Sequence, residues 1–156
     1  DSSTSRGLGD VYKRQEWIPT KDLGRTDEDG YFYHGGRADD VIISACWTMS
    51  AVEIENVMLM HPDVLEAAAI GVPDAVRGQV VKAFVVTNRP AGQHQALALE
   101  IQELVKTKLS QHEYPRHVAV VSELPKTPAG KVHRKVLRER ELADRDRDEH
   151  AAFATA

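Results

Sequence analysis

Residues 124–134 read Leu-Pro-Lys-Thr-Pro-Ala-Gly-Lys-Val-His-Arg, and this stretch predicts a tight loop that leads into a helix. Pro125 and Pro128 bracket the loop, and Gly130 supplies the backbone freedom that such a loop needs. Basic and aliphatic residues then follow at helical spacing. Lys131, held at the tip of the loop, is suited to contact an anionic group on another surface. For an isolated Gly-Lys pair, a solvated basic turn is the commoner explanation.

This stretch is one of three motifs that occur in order along the chain. It contains Pro-Lys-Thr-x-x-Gly-Lys-x-x-Arg, while residues 36–42 read GRADDVI and residues 73–86 read PDAVRGQVVKAFVV. The first motif resembles the C-terminal signature of acyl-adenylate-forming enzymes, the second resembles their hinge motif, and the third resembles their medium-chain and acetyl-CoA synthetase branches. The resemblance runs from about Trp17 to Leu142. It implies a C-terminal domain fragment of an acyl-CoA synthetase.

Composition and spacing exclude several classes of protein. At 156 residues the chain has room for one compact domain, and its 42% hydrophobic and 28% charged residues are ordinary for a soluble protein. A net charge of −4 offers no global attraction to nucleic acid. The single cysteine, Cys46, excludes an internal disulfide and a cysteine-based zinc site. The loop is not a Walker P-loop, because its glycine spacing differs and Val132 stands where Ser or Thr would bind magnesium.

Two further features of the sequence concern the expected location in the cell and the N-terminal segment. No apolar run approaches the roughly 20 residues of a membrane span, and no signal peptide is visible, so a cytoplasmic location is expected. Residues 5–15, SRGLGDVYKRQ, match codon by codon the translation of a transposase-based sequencing adaptor. We therefore interpret residues 1–15 as adaptor read-through and leave them out of the fold prediction.

The predicted fold is α+β: a β-hairpin followed by a small mixed sheet of about three strands with packed helices. Residues 16–38 form the hairpin leading to the hinge, residues 39–143 the lid domain, and residues 144–156 a frayed tail of charged and small residues. The Asp-Gly turn that ends at Gly30 is a strong hairpin signal. The later elements are a strand at 41–43, a helix opened by Ser50 and Glu53, paired strands at 64–72 and 80–86, a helix at about 96–110 and a strand at 117–121.

The resemblance assigns two residues to ATP and one to the hinge. Asp22 matches the aspartate that holds the ribose hydroxyls of ATP, and a carboxylate is a suitable acceptor for a diol. Arg37 matches an arginine that reaches the same ribose, and Asp39 matches the hinge about which the C-terminal domain turns. Lys21 stands where the family has a glycine. Taken without the resemblance, Asp22 is a turn residue and Arg37 part of a local surface ion pair.

The resemblance also assigns a set of residues to CoA. Cys46 and Trp47 occupy the loop that the pantetheine arm passes, where Cys46 replaces a glycine and Thr48 an arginine. Trp47 keeps an aromatic wall, and no activating base supports a nucleophilic role for Cys46. Three cations and one aromatic residue match CoA-contacting positions further along the chain, and each could instead be an ordinary turn or solubilising residue: Arg77, Lys106, Tyr114 and Arg116.

The implied function is the lid of an ATP-dependent acid–CoA ligase, in which Lys131 is the catalytic lysine of acyl-adenylate formation. ATP and CoA are the expected cofactors, with a small carboxylic acid as substrate. Mg²⁺ is expected on the N-terminal adenylation domain, which is the expected partner, and no metal ligand is assigned in this chain. The isolated fragment is expected to be inactive. Two alternatives are a non-catalytic CoA- or nucleotide-binding module and the lid of a peptide-synthetase adenylation domain.

Overall fold

The computed structural model describes residues 21–154, and the adaptor interpretation of residues 1–15 lies outside them. Two compact units are present, the first ending at Asp39 and the second beginning at Asp40. A single 3₁₀ turn, Ala38–Asp40, spans that boundary. The predicted domain limits stay predictions, although the boundary between the units falls beside the residue assigned to the hinge.

The first unit contains the predicted hairpin, with strand β1 (Asp22–Thr26) antiparallel to strand β2 (Phe32–Arg37). Asp27 organises the turn, since its carboxylate accepts the backbone N–H of Tyr31 at 2.9 Å and the hydroxyl of Tyr33 at 2.7 Å. The Tyr33 hydroxyl, followed by the backbone N–H of Tyr31, lowers the pKa of Asp27. Gly30 closes the turn at a φ of 85°, which glycine adopts without steric cost.

The second unit begins with a hairpin that the sequence did not predict as one. Strand β3 (Val41–Ser44) pairs antiparallel with strand β4 (Trp47–Ser50) around a two-residue turn. Helix α1 (Ala51–Met58) follows at once, and Ser50 Oγ accepts the backbone N–H of Glu53 at 3.4 Å, the N-cap that the sequence predicts.

A three-stranded mixed sheet forms the centre of this unit. Strand β5 (Glu66–Asp74) pairs antiparallel with β6 (Gly78–Val86), and β6 pairs parallel with β7 (His117–Val120). A parallel pair requires a long crossover, and helix α2 (His94–Lys108) supplies it. Helix α3 (Arg134–Ala154) ends the described chain.

Both faces of the sheet are covered, which explains why β5 and β6 are almost continuously apolar. One face packs Ala69, Val81, Ala83 and Val85 against residues of α1 and α2. Its helical partners include Ile54, Met58, Leu97, Ile101 and Val105, all buried. The other face holds a smaller cluster, in which strand residues pack against one residue that precedes α3 and one residue of α3. Its members are Ala68, Ile70, Val72, Val80, Phe84, Leu124 and Leu137.

The α+β prediction, with a hairpin and a three-stranded mixed sheet, is therefore confirmed. The tail differs, because α3 continues to Ala154 through residues where a frayed segment was expected. Opposite charges one turn apart support that helix, as where Arg147 contacts Asp144. None of the described helices is long and apolar enough to cross a bilayer.

Candidate functional site

Lys131 lies in a short hairpin loop, residues 126–132, which we call the Lys131 loop. Lys126 and Val132 form an antiparallel bridge at its base, and Thr127 N–H donates to the Lys131 carbonyl at 2.7 Å. Gly130 N–H donates to the Thr127 carbonyl at 2.8 Å, and Gly130 has a φ of 78°. This is a β-turn followed by a left-handed residue, a common three-residue hairpin connection. The tight loop expected from the Pro and Gly spacing is present.

The side chain of Lys131 is exposed, and its ammonium makes no hydrogen bond or ion pair within residues 21–154. The other loop lysine behaves differently, because Lys126 Nζ pairs with Glu66 Oε1 at 2.7 Å. The loop therefore presents one available cation directly after its three-residue turn, while the second cation pairs with the first residue of strand β5. Such a group can approach an anion without first breaking an internal pair.

An ion network that the sequence analysis did not assign lies directly behind the loop. We call it the Arg134 network, and it comprises Asp40, Glu55, Arg134 and Arg138. Arg134 donates from Nε to Glu55 Oε1 at 2.9 Å and from Nη2 to Glu55 Oε2 at 2.5 Å, a bidentate pair. Its Nη1 donates to Asp40 Oδ2 at 2.9 Å, and Arg138 Nη1 reaches Asp40 Oδ1 at 3.3 Å. The final arginine of the loop motif was the available signal for this network.

The network is largely removed from water. The side chains of Arg134, Asp40 and Glu55 are 18%, 12% and 9% exposed. Burial alone would lower the pKa of Arg134, but the hydrogen bonds and charges of Glu55 and Asp40 raise it above its ordinary value. Glu55 Oε1 also accepts the backbone N–H of Ala69 at 2.8 Å, so the network reaches the central sheet.

The two residues assigned to the ATP ribose face each other in the first unit. Asp22 and Arg37 are cross-strand partners in the hairpin, and Arg37 Nη1 lies 3.4 Å from Asp22 Oδ1. A carboxylate and a guanidinium thus stand together on an accessible surface. Lys21, which replaces a glycine, has a φ of 63°, a backbone conformation that glycine adopts far more readily. Asp39, assigned to the hinge, lies in the 3₁₀ turn that spans the unit boundary.

The residues assigned to the pantetheine passage form the tip of the β3–β4 hairpin, the Ala45–Cys46 turn. Ala45 and Cys46 have φ values of 46° and 69°, so both central positions are left-handed, as in a type I′ turn. Trp47 stacks on His112 with ring centroids 4.5 Å apart and an interplanar angle of 11°. His112 was not predicted, and no sequence signal marked it. The stack joins this turn to the segment that carries Tyr114 and Arg116.

Arg77 belongs to the same surface. Its carbonyl accepts the Ala45 N–H at 3.0 Å, while its own N–H donates to Asp74 Oδ1 at 2.8 Å. The backbone N–H groups of Arg77 and Val76, and then the charges of Arg77 and Arg116, lower the pKa of Asp74. Two predicted CoA cations therefore lie close to one carboxylate.

The remaining residues assigned to CoA differ in the contacts that they make: Tyr114, Arg116 and Lys106. The Arg116 guanidinium lies over the Tyr114 ring, 5.1 Å from its centroid. Lys106 lies on α2 and pairs with Glu103 at 3.7 Å. The structure brings five predicted positions onto one surface, which we call the Trp47 surface: Cys46, Trp47, Arg77, Tyr114 and Arg116. No hydrogen bond, ion pair or ring contact among the described residues joins Lys106 to them.

A metal site in a protein is built from several His, Cys, Asp or Glu side chains that lie close together. Within residues 21–154, no group of three or more His, Cys, Asp or Glu side chains is arranged to hold a metal ion. The cations and aromatic residues described above suit phosphate and adenine groups rather than a metal.

Comparison with known families matches residues 53–131, just over half of the chain, to the C-terminal domain of AMP-binding enzymes. The chain belongs to this family. Human mitochondrial acyl-coenzyme A synthetase ACSM4 is 46% identical to it over 134 residues, 85% of this chain and 23% of that protein. The 4-hydroxybutyrate–CoA ligase 1 of Metallosphaera sedula is 45% identical over 136 residues, 87% of this chain and 24% of that protein. The chain spans about a quarter of the length of these relatives.

Solved structures of AMP-binding enzymes contain the same fold. The anthranilate CoA ligase AuaEII in complex with anthranoyl-AMP is similar with a TM-score of 0.74 and 35% identity, over 90% of this chain and 26% of that one. The o-succinylbenzoate CoA synthetase of Bacillus subtilis, in complex with its acyl-adenylate intermediate, is similar with a TM-score of 0.73 and 31% identity, over 83% of this chain and 26% of that one. The prediction of an acyl-adenylate-forming relative is confirmed.

Proposed function

We propose that this chain is the C-terminal lid of an ATP-dependent acid–CoA ligase. The complete enzyme would convert a carboxylic acid, ATP and CoA into acyl-CoA, AMP and pyrophosphate. The observation that carries the proposal is the exposed ammonium of Lys131 on a hydrogen-bonded loop, with no partner among residues 21–154. Relatives whose names specify CoA ligases, and solved relatives that hold acyl-adenylates, support the same assignment.

Lys131 would act in the first half-reaction. A carboxylate oxygen attacks the α-phosphorus of ATP, and the bond to pyrophosphate breaks. The Lys131 ammonium donates hydrogen bonds to the carboxylate and to an α-phosphate oxygen, and it stabilises the charge that accumulates between them. Within the described part of the chain, the ammonium has no ion pair that it would have to break.

The residues of the first unit fit the nucleoside end of ATP. Asp22 supplies acceptors and Arg37 supplies donors at one place on the hairpin, as two adjacent ribose hydroxyls require. Asp39 would be the hinge that turns the lid between its two working positions. Mg²⁺ would be held by the N-terminal adenylation domain, which we propose as the partner of this chain. The isolated chain is expected to be inactive.

The Trp47 surface fits CoA. Arg77 and Arg116 would contact phosphate groups, Tyr114 would support Arg116, and the Trp47–His112 stack would border the pantetheine arm. Cys46 adds a side chain where the family has glycine, which narrows this passage. Lys106 is the least supported member, because its contact is with Glu103 on its own helix.

The proposal is tested by measuring the rates of the two half-reactions separately in the complete protein. Lys131→Ala should lower acyl-adenylate formation about 10²–10³-fold, and it should leave acyl transfer from supplied acyl-AMP to CoA unchanged. Lys126→Ala is the matched control, because it removes the other lysine of the loop and should preserve both rates. Equal loss of both half-reactions in the Lys131 variant would contradict the assignment.

A second function is favoured by the departures at Cys46 and Thr48: a CoA-binding module without ligase activity. The half-reaction assay separates this module from a ligase lid, and titration of the chain with CoA and with phosphopantetheine separates free CoA from a carrier protein as the thiol partner. Preference for CoA supports contacts from Arg77 and Arg116, and equal binding of both supports the lid of a carrier-protein-loading adenylation domain. A cytoplasmic location stays a prediction, because the names of several relatives specify mitochondria.

A further inference from the structure

The Arg134 network connects four parts of the second unit. Arg134 is the first residue of α3 and follows Lys131 by three positions. Glu55 lies on α1, and through its bond to Ala69 N–H it reaches β5. Asp40 directly follows the residue assigned to the hinge. The network therefore joins the exit of the Lys131 loop to the sheet, to a helix and to the hinge-proximal end of the unit.

Besides the backbone hydrogen bonds within it, the Lys131 loop has a side-chain connection to the rest of the unit on each of its two sides. On its entry side, Lys126 pairs with Glu66, and both side chains are more than a third exposed. Exposed pairs of this kind contribute little rigidity, because water competes for both partners. On its exit side, Arg134 makes three short hydrogen bonds to two carboxylates that are about nine-tenths buried. The exit side is the stronger of the two.

We infer that Arg134 is a positioning residue for Lys131, acting through the carboxylates of Glu55 and Asp40. The inference rests on the proposed function, in which Lys131 is the catalytic group. Arg134 fixes the direction in which the loop enters α3, and the planar fork of its guanidinium defines that direction better than a lysine would. Since Asp40 adjoins Asp39, a rotation at the hinge would reach the exit of the Lys131 loop through one side-chain contact, that between Asp40 and Arg134.

The first experiment measures loop rigidity in the 156-residue chain by NMR relaxation. Backbone order parameters at Gly130 and Lys131 should fall from about 0.85 to below about 0.6 in Arg134→Gln. Asp40→Ala, which retains the Glu55 pair, should give a smaller fall and serves if the first variant does not fold. Lys126→Gln is the control and should leave both values unchanged. Unchanged values in Asp40→Ala, or an equal fall in Lys126→Gln, overturn the inference.

The second experiment asks whether the network acts through Lys131. In the complete protein, Asp40→Ala should slow acyl-adenylate formation about tenfold and leave acyl transfer from supplied acyl-AMP within twofold. Combined with Lys131→Ala, it should cause no further loss, because the group that it positions is already absent. Arg138→Gln, which removes only the 3.3 Å contact to Asp40, should change the rate less than Asp40→Ala does.

The outcomes of these experiments distinguish the positioning inference for Arg134 from the proposed function of Lys131. Losses that multiply in the double variant show a general structural effect and refute positioning. A normal adenylation rate in Lys131→Ala alone refutes the proposed function, whatever Asp40→Ala does. The rigidity measurement tests the positioning inference independently of the proposed function, since it needs no substrate.

Discussion

Two tight turns in the second unit expose side chains to solvent, and they are built differently. The Lys131 loop turns at Gly130, where a φ of 78° costs nothing because glycine lacks a Cβ. The Ala45–Cys46 turn requires positive φ at two positions and has glycine at neither. For residues with a Cβ the left-handed conformation costs about 1–2 kcal/mol each. The first turn is relaxed, and the second is held in place by its surroundings.

The supports beneath the two turns also differ. The Lys131 loop is followed by the buried Arg134 network, whereas the Ala45–Cys46 turn is fastened by one backbone bond from Ala45 to Arg77 and by the Trp47–His112 stack. A partly exposed stack and a single hydrogen bond resist distortion less than a buried bidentate ion pair. The comparison indicates that Lys131 is held more rigidly than Cys46.

The largest expected effect comes from the network itself. Glu55→Ala removes both acceptors of the Arg134 fork and leaves a buried cation with one partner, so it should lower the free energy of unfolding by about 3–5 kcal/mol. Glu66→Ala, which removes the exposed partner of Lys126, should cost about 1 kcal/mol or less. Urea unfolding of both variants measures the difference. Equal losses would show that the two sides of the loop are held alike.

A smaller effect is expected at the glycine of the relaxed turn. Gly130→Ala should destabilise the chain by about 1–2 kcal/mol through its positive φ, since a Cβ there meets no atom within 4 Å. Gly92→Ala is the control, because its Cβ is equally free and its φ is not in the left-handed range. That variant should be neutral or slightly stabilising. Equal destabilisation of the two variants in urea unfolding would show that the positive φ of Gly130 does not make this position more sensitive than Gly92.

The strained turn should respond in the opposite direction. Cys46→Gly should stabilise the chain by about 0.5–1 kcal/mol, because relief of the left-handed strain exceeds the greater freedom of glycine in the unfolded chain. Cys46→Ser changes the side chain but not the backbone preference and should be neutral. Denaturant midpoints report both. A destabilised glycine variant would show that this turn carries no strain.

The smallest effect concerns the carboxylate beside Arg77. The pKa of Asp74 is lower in the folded chain than in the unfolded chain, so its contribution to stability is present above about pH 4 and is lost as pH falls through the folded value. Asp74→Asn should therefore lose less stability than the parent chain between pH 6 and pH 3. Urea titrations at the two pH values measure this. Equal losses of stability in both proteins would show that Asp74 does not contribute to the loss of stability in acid.

The sequence predicted the elements better than their connections. Asp-Gly spacing and β-rich runs were sufficient for the first hairpin and for the pairing of β5 with β6, because both are local in sequence. The β3–β4 hairpin was missed, since its turn contains neither glycine nor asparagine to signal it. The pairing of Trp47 with His112 and of Arg134 with Glu55 joins residues 65 and 79 positions apart. Local patterns carry no information about such contacts.

Within the candidate site, the sequence by itself determined which chemical groups are available: a lysine after a Pro/Gly loop, a hairpin with Asp22 and Arg37, and cations suited to phosphate. Only the tertiary structure decided which of them act together. It placed Arg77 and Arg116 beside Asp74, paired Lys106 with Glu103 on its own helix, and paired buried carboxylates with the arginine that follows the Lys131 loop. The reason is physical: spacing along the chain fixes turns and periodic faces, while the packing of helices on both sides of the sheet fixes which charges meet out of water.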